Sequence, residues 1–363
     1  MTRPRRLLMT TDAVGGVWSY SLELAAGLAA EDVETVLVVL GPQPSVDQVA
    51  EAAAVPGLGL VTPGLGLEWQ DRQPLGSAEA RLLRTLERAF APDVVHVNGF
   101  REAACGWQAP VVLVAHSCVR SWWRACRGCE PPAHDWADYT AGVRAGLAAA
   151  DAIVAPTAAF LGELQHLYGP LSNARTIHNG RVPPLPRTRR RPFVLAAGRL
   201  WDEAKNVAAL AELADGLSWP VLVAGESAGV QGAQSLVQLG RLPQSELLRR
   251  MAEAGIFVSP ARYEPFGLAI LEAAAAGAAL VLADLPTLRE LWDGAARFVP
   301  PNDSAALRTV LQRLIDDEPA RRSLQEAARH RARRYGPAPM VAGYLKLYGE
   351  LSAGDGSGRA AAA

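Results

Sequence analysis

Glu264 and Glu272 stand at the two ends of the run Glu-Pro-Phe-Gly-Leu-Ala-Ile-Leu-Glu, with seven residues between them. Pro265 and Gly267 mark a turn, and from there to Gly277 the spacing predicts a helix. Glu264 is then expected in the loop after the strand-like run Ile-Phe-Val-Ser-Pro-Ala, and Glu272 one to two turns into the helix. A helix start presents unpaired N–H groups and the positive end of a dipole, which favour phosphate. A carboxylate in the preceding loop can accept hydrogen bonds from sugar hydroxyls, and one inside the helix from a ribose. Either glutamate alone would pass for an ordinary helix-start or surface acid; the whole run is more specific.

Arg199 follows a second strand-like run, and Lys205 comes six residues later near a helix start. Phosphate oxygens that gather negative charge can be neutralised by such fixed cations. The guanidinium offers a planar fork and the ammonium a compact charge. An isolated Arg–Lys pair at a strand end is usually surface decoration, so its weight comes from its register with the glutamate run. Gly15 and Gly16 open a helix after the first strand, where a bare backbone can approach a phosphate. The GxGxxG fingerprint is absent, which argues against a nicotinamide cofactor. His116 ends the run Pro-Val-Val-Leu-Val-Ala-His-Ser, where a strand-end imidazole faces the carboxyl edge of a sheet. His96 fits a structural role better, and His178 and Asn179 read as turn residues.

These residues need a scaffold that delivers strand ends to one edge. Short Val- and Ile-rich runs alternate with amphipathic helical stretches along almost the whole chain, so the fold class is α/β with parallel, doubly wound sheets. Six strands are expected in each half, the first set from Arg5 to Gly180 and the second from Phe193 to Pro301. Between them, Arg-Val-Pro-Pro-Leu-Pro-Arg-Thr-Arg-Arg-Arg-Pro is too rich in Pro and Arg for a packed element. The expected domains are 1–185 and 193–336, with 186–192 as linker. A terminal helix over 337–353, with an apolar stripe of Val341, Leu345, Tyr348 and Leu351, is followed by a low-complexity tail.

The segment Tyr-Glu-Pro-Phe-Gly-Leu-Ala-Ile-Leu-Glu-Ala-Ala-Ala-Ala-Gly from Tyr263 resembles the donor-binding signature of family 4 glycosyltransferases with the GT-B fold. Gly15-Gly16-Val17, Gly198-Arg199-Leu200 followed by Lys205, Asn179-Gly180 and the final helices occur in the order that family has, over nearly the whole chain. The resemblance implies two Rossmann-like domains facing a central cleft, the nucleotide mainly on the second and the acceptor mainly on the first. The terminal helix would return to the first domain. It further implies that Glu264 contacts the transferred sugar, that Glu272 holds the donor ribose, and that Arg199 and Lys205 clamp the diphosphate. His116 would contact the sugar near its reacting carbon. Gly15, Gly16, Phe266, Gly267 and Leu268 would line the donor site, and backbone groups around Arg241 and Leu242 would hold the nucleobase, with Arg241 able to stack on it. The family often has a Pro-Glu-Lys-Gly loop where this chain has Asp202-Glu203-Ala204-Lys205-Asn206. The expected activity is metal-independent transfer, with retention, from a UDP-, GDP- or ADP-sugar, without a cofactor. A nucleotide-sugar epimerase of similar fold and an idle sugar-nucleotide-binding subunit stand as alternatives, separated by their products.

Composition fits and excludes. The 363 residues suit two ordinary domains, and a formal net charge of -1 gives no basic excess for nucleic acid. Four cysteines are too few for a disulfide scaffold, so a reducing, cytoplasmic setting is expected. Cys126 and Cys129 form a CxxC with no second pair to complete a zinc site, and read as two loop thiols. No apolar run reaches the ~18 residues of a membrane span. Peripheral binding to anionic lipid through Arg329, Arg331, Arg333 and Arg334 stays open beside the plainer reading of a solvated helix face. Residues 117–140, with Trp122, Trp123 and Trp136 among arginines, suit either an acceptor surface or a packed loop.

Overall fold

The computed structural model describes residues 4–181, 186, 188–226 and 236–354. The low-complexity tail and part of the expected linker lie outside them. The described residues form two compact units: 4–124 with 129–180 and 337–354, and 125–128 with those between 181 and 336.

The first unit holds a seven-stranded sheet in the order β3-β2-β1-β4-β5-β6-β7. Its strands are β1 (Arg6–Asp12), β2 (Glu34–Leu40), β3 (Leu58–Val61), β4 (Val94–Val97), β5 (Val111–Val114), β6 (Ala152–Ala155) and β7 (Ala174–Thr176), all paired in parallel. The second unit holds six parallel strands in the order β10-β9-β8-β11-β12-β13. These are β8 (Arg191–Ala197), β9 (Val221–Ala224), β10 (Leu236–Gly240), β11 (Ala254–Ser259), β12 (Ala279–Ala283) and β13 (Arg297–Val299). Both orders reverse direction once, between β1 and β4 and between β8 and β11, the doubly wound pattern of Rossmann-like domains.

Strand alternation builds two cores around the second sheet. Phe193, Leu195, Phe257, Leu280 and Leu282 face one side, against the helices Gln244–Glu253, Leu268–Ala276 and Pro286–Trp292. Val194, Ala196, Ile256, Val258 and Val281 face the other, against Ala208–Leu213 and Ser304–Asp316. A strand buried on both faces reads as one continuous apolar run, and that is how these appear in the sequence.

Three expectations need correction. β3 was not expected: Leu58–Val61 is an edge strand of four half-exposed or exposed residues, too short to show a period. Residues 117–140 are no loop but contain the helix Val119–Arg127 and the start of Ala133–Ala149. Ser121 Oγ and Trp122 N both bond the Cys118 carbonyl there, which closes the first turn. The expected linker 186–192 overlaps β8, because Arg191 already pairs with Ala254 and Pro192 sits at a strand start, where a missing donor is tolerated.

The helix Pro337–Gly354 belongs to the first unit and packs on the helix Gly16–Ala29. Gly27 makes that approach possible, since a Cβ there would lie 2.3 Å from Val341 Cγ2. The buried stripe runs through Val341, Tyr344, Leu347 and Tyr348, and Leu345, expected in it, is only partly buried.

Candidate active site

In the second unit the candidate residues gather at the carboxyl ends of β8 and β11, the two strands that flank its switch point. An open α/β sheet forms its ligand crevice there. Backbone packing at this edge is tight: a Cβ on Gly225, after β9, would come 1.8 Å from the Gly198 carbonyl oxygen. Gly198 N donates to Ala224 O at 3.0 Å and Gly225 N to Gly240 O at 2.8 Å, so the ends of β8, β9 and β10 are laced together.

The turn after β8 fixes both cations. Asp202 accepts from Arg199 Nη2 at 3.0 Å through one carboxylate oxygen and from Ala204 N at 3.0 Å through the other. Asn206 closes the turn with φ of 51°, the left-handed conformation for which the resembling loop uses Gly. Its side-chain amide donates to the carbonyls of Pro260 (3.0 Å) and Pro301 (2.9 Å), tying the turn to the loops after β11 and β13. Lys205, held just before it, passes beside Gly198 and brings Nζ to 2.6 Å from Glu264 Oε2. Thr287 Oγ donates to the Glu264 carbonyl at 2.6 Å, steadying the loop from the other side. Gly267, with φ of 86°, turns the chain into the helix Leu268–Ala276. Lys205 and Glu264 are therefore in contact; Arg199, 41% exposed, lies with its guanidinium 5.4 Å from the Trp201 ring centroid.

Glu272 is set apart from that pair. Buried inside its helix, it forms an ion pair with Arg181 Nε at 2.5 Å and accepts from Gln244 Nε2 at 3.1 Å. Phe266 is a core residue whose ring meets Tyr335 edge-on at 6.0 Å, so its side chain serves the fold and only its backbone can serve a ligand. Leu268 begins the helix, Leu242 is partly buried, and Arg241 is exposed in the turn after β10.

In the first unit, Gly15 caps the helix Gly16–Ala29 with φ of -156°, outside the left-handed region. The loop before it is shaped by Asp12, whose carboxylate accepts from Val14 N at 2.7 Å. His116 follows β5 and its Nε2 lies 2.8 Å from Asn98 Oδ1. Asn98 follows β4, at this sheet's switch point. Its orientation is set by Nδ2, which donates to the Thr10 carbonyl at 2.7 Å, an atom that can only accept. Oδ1 is therefore the acceptor for His116, and the Nε2–H tautomer of His116 follows. Asn98 Oδ1 also lies 3.2 Å from Nε2 of the wholly buried His96, whose Nδ1 takes the Tyr348 hydroxyl at 2.6 Å. Burial pushes both imidazoles down to about 3, so both are neutral near pH 7.

Asn98, Asp202, Asn206, Arg181 and Gln244 are the positioning residues that the sequence did not single out. A polar residue just past a buried strand is the one signal that Asn98 and Asp202 shared beforehand. None of the four cysteines is in a disulfide; Cys126 is half-buried and Cys129 exposed. Among the described residues no group of three His, Cys, Asp or Glu side chains is placed to hold a metal ion, and no helix is long and apolar enough to cross a membrane.

Comparison with known proteins agrees with this fold. The model for Glycosyltransferase Family 4 matches residues 14–183, and that for Glycosyl transferases group 1 matches 185–331. The chain is 32% identical over 206 residues to a glycogen synthase of Mycobacterium tuberculosis, and there spans about half of that protein's length (49%). It is 27% identical to a D-inositol 3-phosphate glycosyltransferase of Xylanimonas cellulosilytica, over 94% of this chain and 93% of that one. Among solved structures, sucrose-phosphate synthase from Thermosynechococcus elongatus superposes with a TM-score of 0.79 at 16% identity, covering 96% of this chain and 99% of the other. Anabaena HepE in complex with UDP-glucose gives 0.74 at 16% identity, over 95% and 99%. The switch-point arrangement in both units, the two adjoining family matches and these superpositions lead to one conclusion: the chain belongs to the GT-B glycosyltransferases.

Proposed function

We propose that the chain is a retaining, metal-independent glycosyltransferase that moves a sugar from a nucleoside-diphosphate sugar to an acceptor hydroxyl. The observation that carries this is the Lys205–Glu264 contact at 2.6 Å, at the switch point of the second sheet and beside a helix start. It joins a cation for phosphate to a carboxylate for sugar hydroxyls within one loop pair. The UDP-glucose complex of the structural neighbour HepE supports a nucleotide-sugar donor.

In the proposed reaction the bond from the anomeric carbon to the phosphate oxygen breaks while the acceptor oxygen bonds to the same face. The acceptor's proton goes to the departing phosphate. Arg199, Lys205 and the N–H groups at the start of Leu268–Ala276 stabilise the charge on that phosphate. Glu264 orients the sugar as a hydroxyl acceptor; the single carboxylate at the pair does not make the two-carboxylate arrangement of a hydrolase. Glu272 holds the ribose, the turn at Gly240, Arg241 and Leu242 holds the base, and neutral His116 is a contact for the sugar. The enzyme works in the cytoplasm, in keeping with its free thiols.

The test is a thermal-shift screen with UDP, GDP, ADP and their common sugar conjugates, first in EDTA and then with magnesium. Selective stabilisation by one nucleotide in EDTA is expected, followed by formation of a new glycoside when acceptors are supplied. An isomerised donor as sole product would replace transfer by epimerisation. Stabilisation only with magnesium would remove metal independence.

A further inference from the structure

The connection that follows β3 does not stay at that edge of the first sheet. Residues 66–73 reach the end of β4, beside this sheet's switch point, and two side chains hold them there. Glu68 Oε2 accepts from Phe100 N at 3.1 Å and from Arg101 N at 2.7 Å. Arg101 donates from Nη2 to Gly66 O at 2.8 Å and from Nη1 to Gln73 O at 3.2 Å, so it clasps both ends of the segment. Its charge is balanced by Glu102 at 3.1 Å, both side chains being deeply buried. Gly99 makes room for that pair, since a Cβ there would lie 2.7 Å from Glu102 Oε2.

The residue held out by this segment is Arg72. Its backbone closes the short helix Glu68–Asp71 with φ of 58°, a left-handed conformation that Gly would adopt more easily. Its guanidinium carbon lies 4.3 Å from the centroid of the Trp136 ring. Trp136 stands in the first turn of Ala133–Ala149, the helix that leads back into β6, and Tyr139 meets its ring edge-on at 5.6 Å. Both residues are therefore at the carboxyl edge of the sheet, where open α/β sheets take their ligands. The acids beside them in sequence are directed elsewhere: Asp71 lies 3.6 Å from Arg101, and Asp135 3.4 Å from His134. Among the described residues no carboxylate forms an ion pair with Arg72, which is exposed. A guanidinium held over an aromatic face keeps its N–H edge open, and that edge fits the two oxygens of a phosphate or carboxylate.

We propose that Arg72, held by Trp136, seats an anionic group of the acceptor, so that the acceptor is a small sugar or polyol bearing a phosphate or a carboxylate. The proposal rests on the transferase reading above and concerns its second substrate. Two parallel N–H···O bonds fix the direction in which the acceptor leaves the fork, whereas a neutral hydroxyl offers one oxygen and no charge. Restraint of residues 66–73 before the ligand arrives lowers the ordering cost of binding. Trp136 is then a support for the cation and not itself a platform for the sugar.

The experiment is calorimetric titration of the full chain in EDTA, saturated with the nucleotide that stabilises it so that the donor site is already filled. The probes are glucose, glucose 6-phosphate and glucuronate, then glycerol, glycerol 3-phosphate and glycerate. At least one anionic probe is expected to bind about tenfold tighter or more than its neutral counterpart. A preference confined to the phosphates or to the carboxylates tells which group the fork takes. Arg72→Gly keeps the left-handed turn and removes the cation, and is expected to bring the ratio to about threefold or less with parental nucleotide affinity. Arg72→Lys keeps the charge without the fork, and Trp136→Leu keeps the cation without its support; each is expected to lower the ratio by about threefold. Circular dichroism identifies a variant that does not fold, and the remaining two then decide. A parent that binds the anionic probes no better than the neutral ones, or binds none of them, overturns the anion seat and leaves the transferase proposal standing. An Arg72→Gly protein with the parental ratio does the same. A parent that binds no nucleotide overturns both.

Discussion

Lys205 and Glu264 neutralise each other, and on the proposed function each serves a ligand more than the fold. Their side chains are 22% and 15% exposed, so the pair is partly screened and adds little to stability. In the proposed reaction, removing the cation takes away part of the compensation for the developing phosphate charge, a loss of about a hundredfold to a thousandfold in turnover. Lys205→Ala is therefore expected to lower kcat by that factor while the melting temperature barely moves, as checked by steady-state transfer beside calorimetry. His96 behaves in the opposite way, as a group whose effect appears in stability. Its folded pKa of about 3 lies below the ordinary 6.5, so between those values the unfolded chain binds a proton that the native one does not. Stability is then full above pH 6.5 and falls as the pH drops toward 3. At pH 5 the His96 contribution to that fall is about 2 kcal/mol. Urea unfolding at pH 7 and pH 5 should show a smaller acid loss in His96→Asn than in the parent; equal losses would mean that His96 is protonated in the native state.

At the scale of the element, the turn after β8 decides where the cations point, and it does so with backbone more than with side chains. Gly225→Ala would drive a Cβ into the Gly198 carbonyl, an atom that cannot rotate away, so the strand ends must part. The expected cost is about 3 kcal/mol or more, with donor affinity lost as well, read from unfolding and nucleotide titration. Asn206→Gly keeps the left-handed turn but drops both carbonyl bonds, whereas Asn206→Ala loses the bonds and strains the turn. Nucleotide affinity should therefore fall in the order parent, Gly, Ala. How much of this was legible beforehand follows from the kind of signal each part leaves. Buried parallel strands write themselves as apolar runs, so every strand but β3 was expected from the sequence, and the glutamate run announced its helix through Pro265 and Gly267. Positioning residues such as Asn206 and Arg181 bond carbonyls and carboxylates far away in sequence, and nothing local distinguishes them from surface polar residues. The helix at Val119–Arg127 was hidden for a related reason: its Trp, Arg and Cys content resembles a sticky loop until its first turn is seen to close on Cys118.

For the molecule as a whole, the last helix is an element whose place in the chain and place in the fold disagree. Pro337–Gly354 follows the second unit in sequence yet belongs to the first, where Met340, Tyr344, Leu347 and Tyr348 are each no more than 1% exposed. At about 1.5–3 kcal/mol per buried apolar side chain, those four account for roughly 6–12 kcal/mol, comparable to the total stability of a domain. Tyr348 also supplies the hydroxyl that satisfies His96, so its loss leaves a buried ring nitrogen unpaired. A chain ended after Gly336 should then lack a folded first unit, while both cores of the second unit, including Leu195 and Val281, remain complete. Limited proteolysis of the shortened chain is expected to leave one resistant fragment that begins near residue 181. Nucleotide at a hundred times its dissociation constant should still stabilise that fragment by about 2.7 kcal/mol, because Arg199, Lys205, Glu264, Glu272 and Arg181 all lie within it. Two resistant fragments would mean that the first unit folds without its returning helix. One fragment with no nucleotide shift would mean that the first unit supplies most of the donor affinity, and the ribose and phosphate contacts would then have to be sought there.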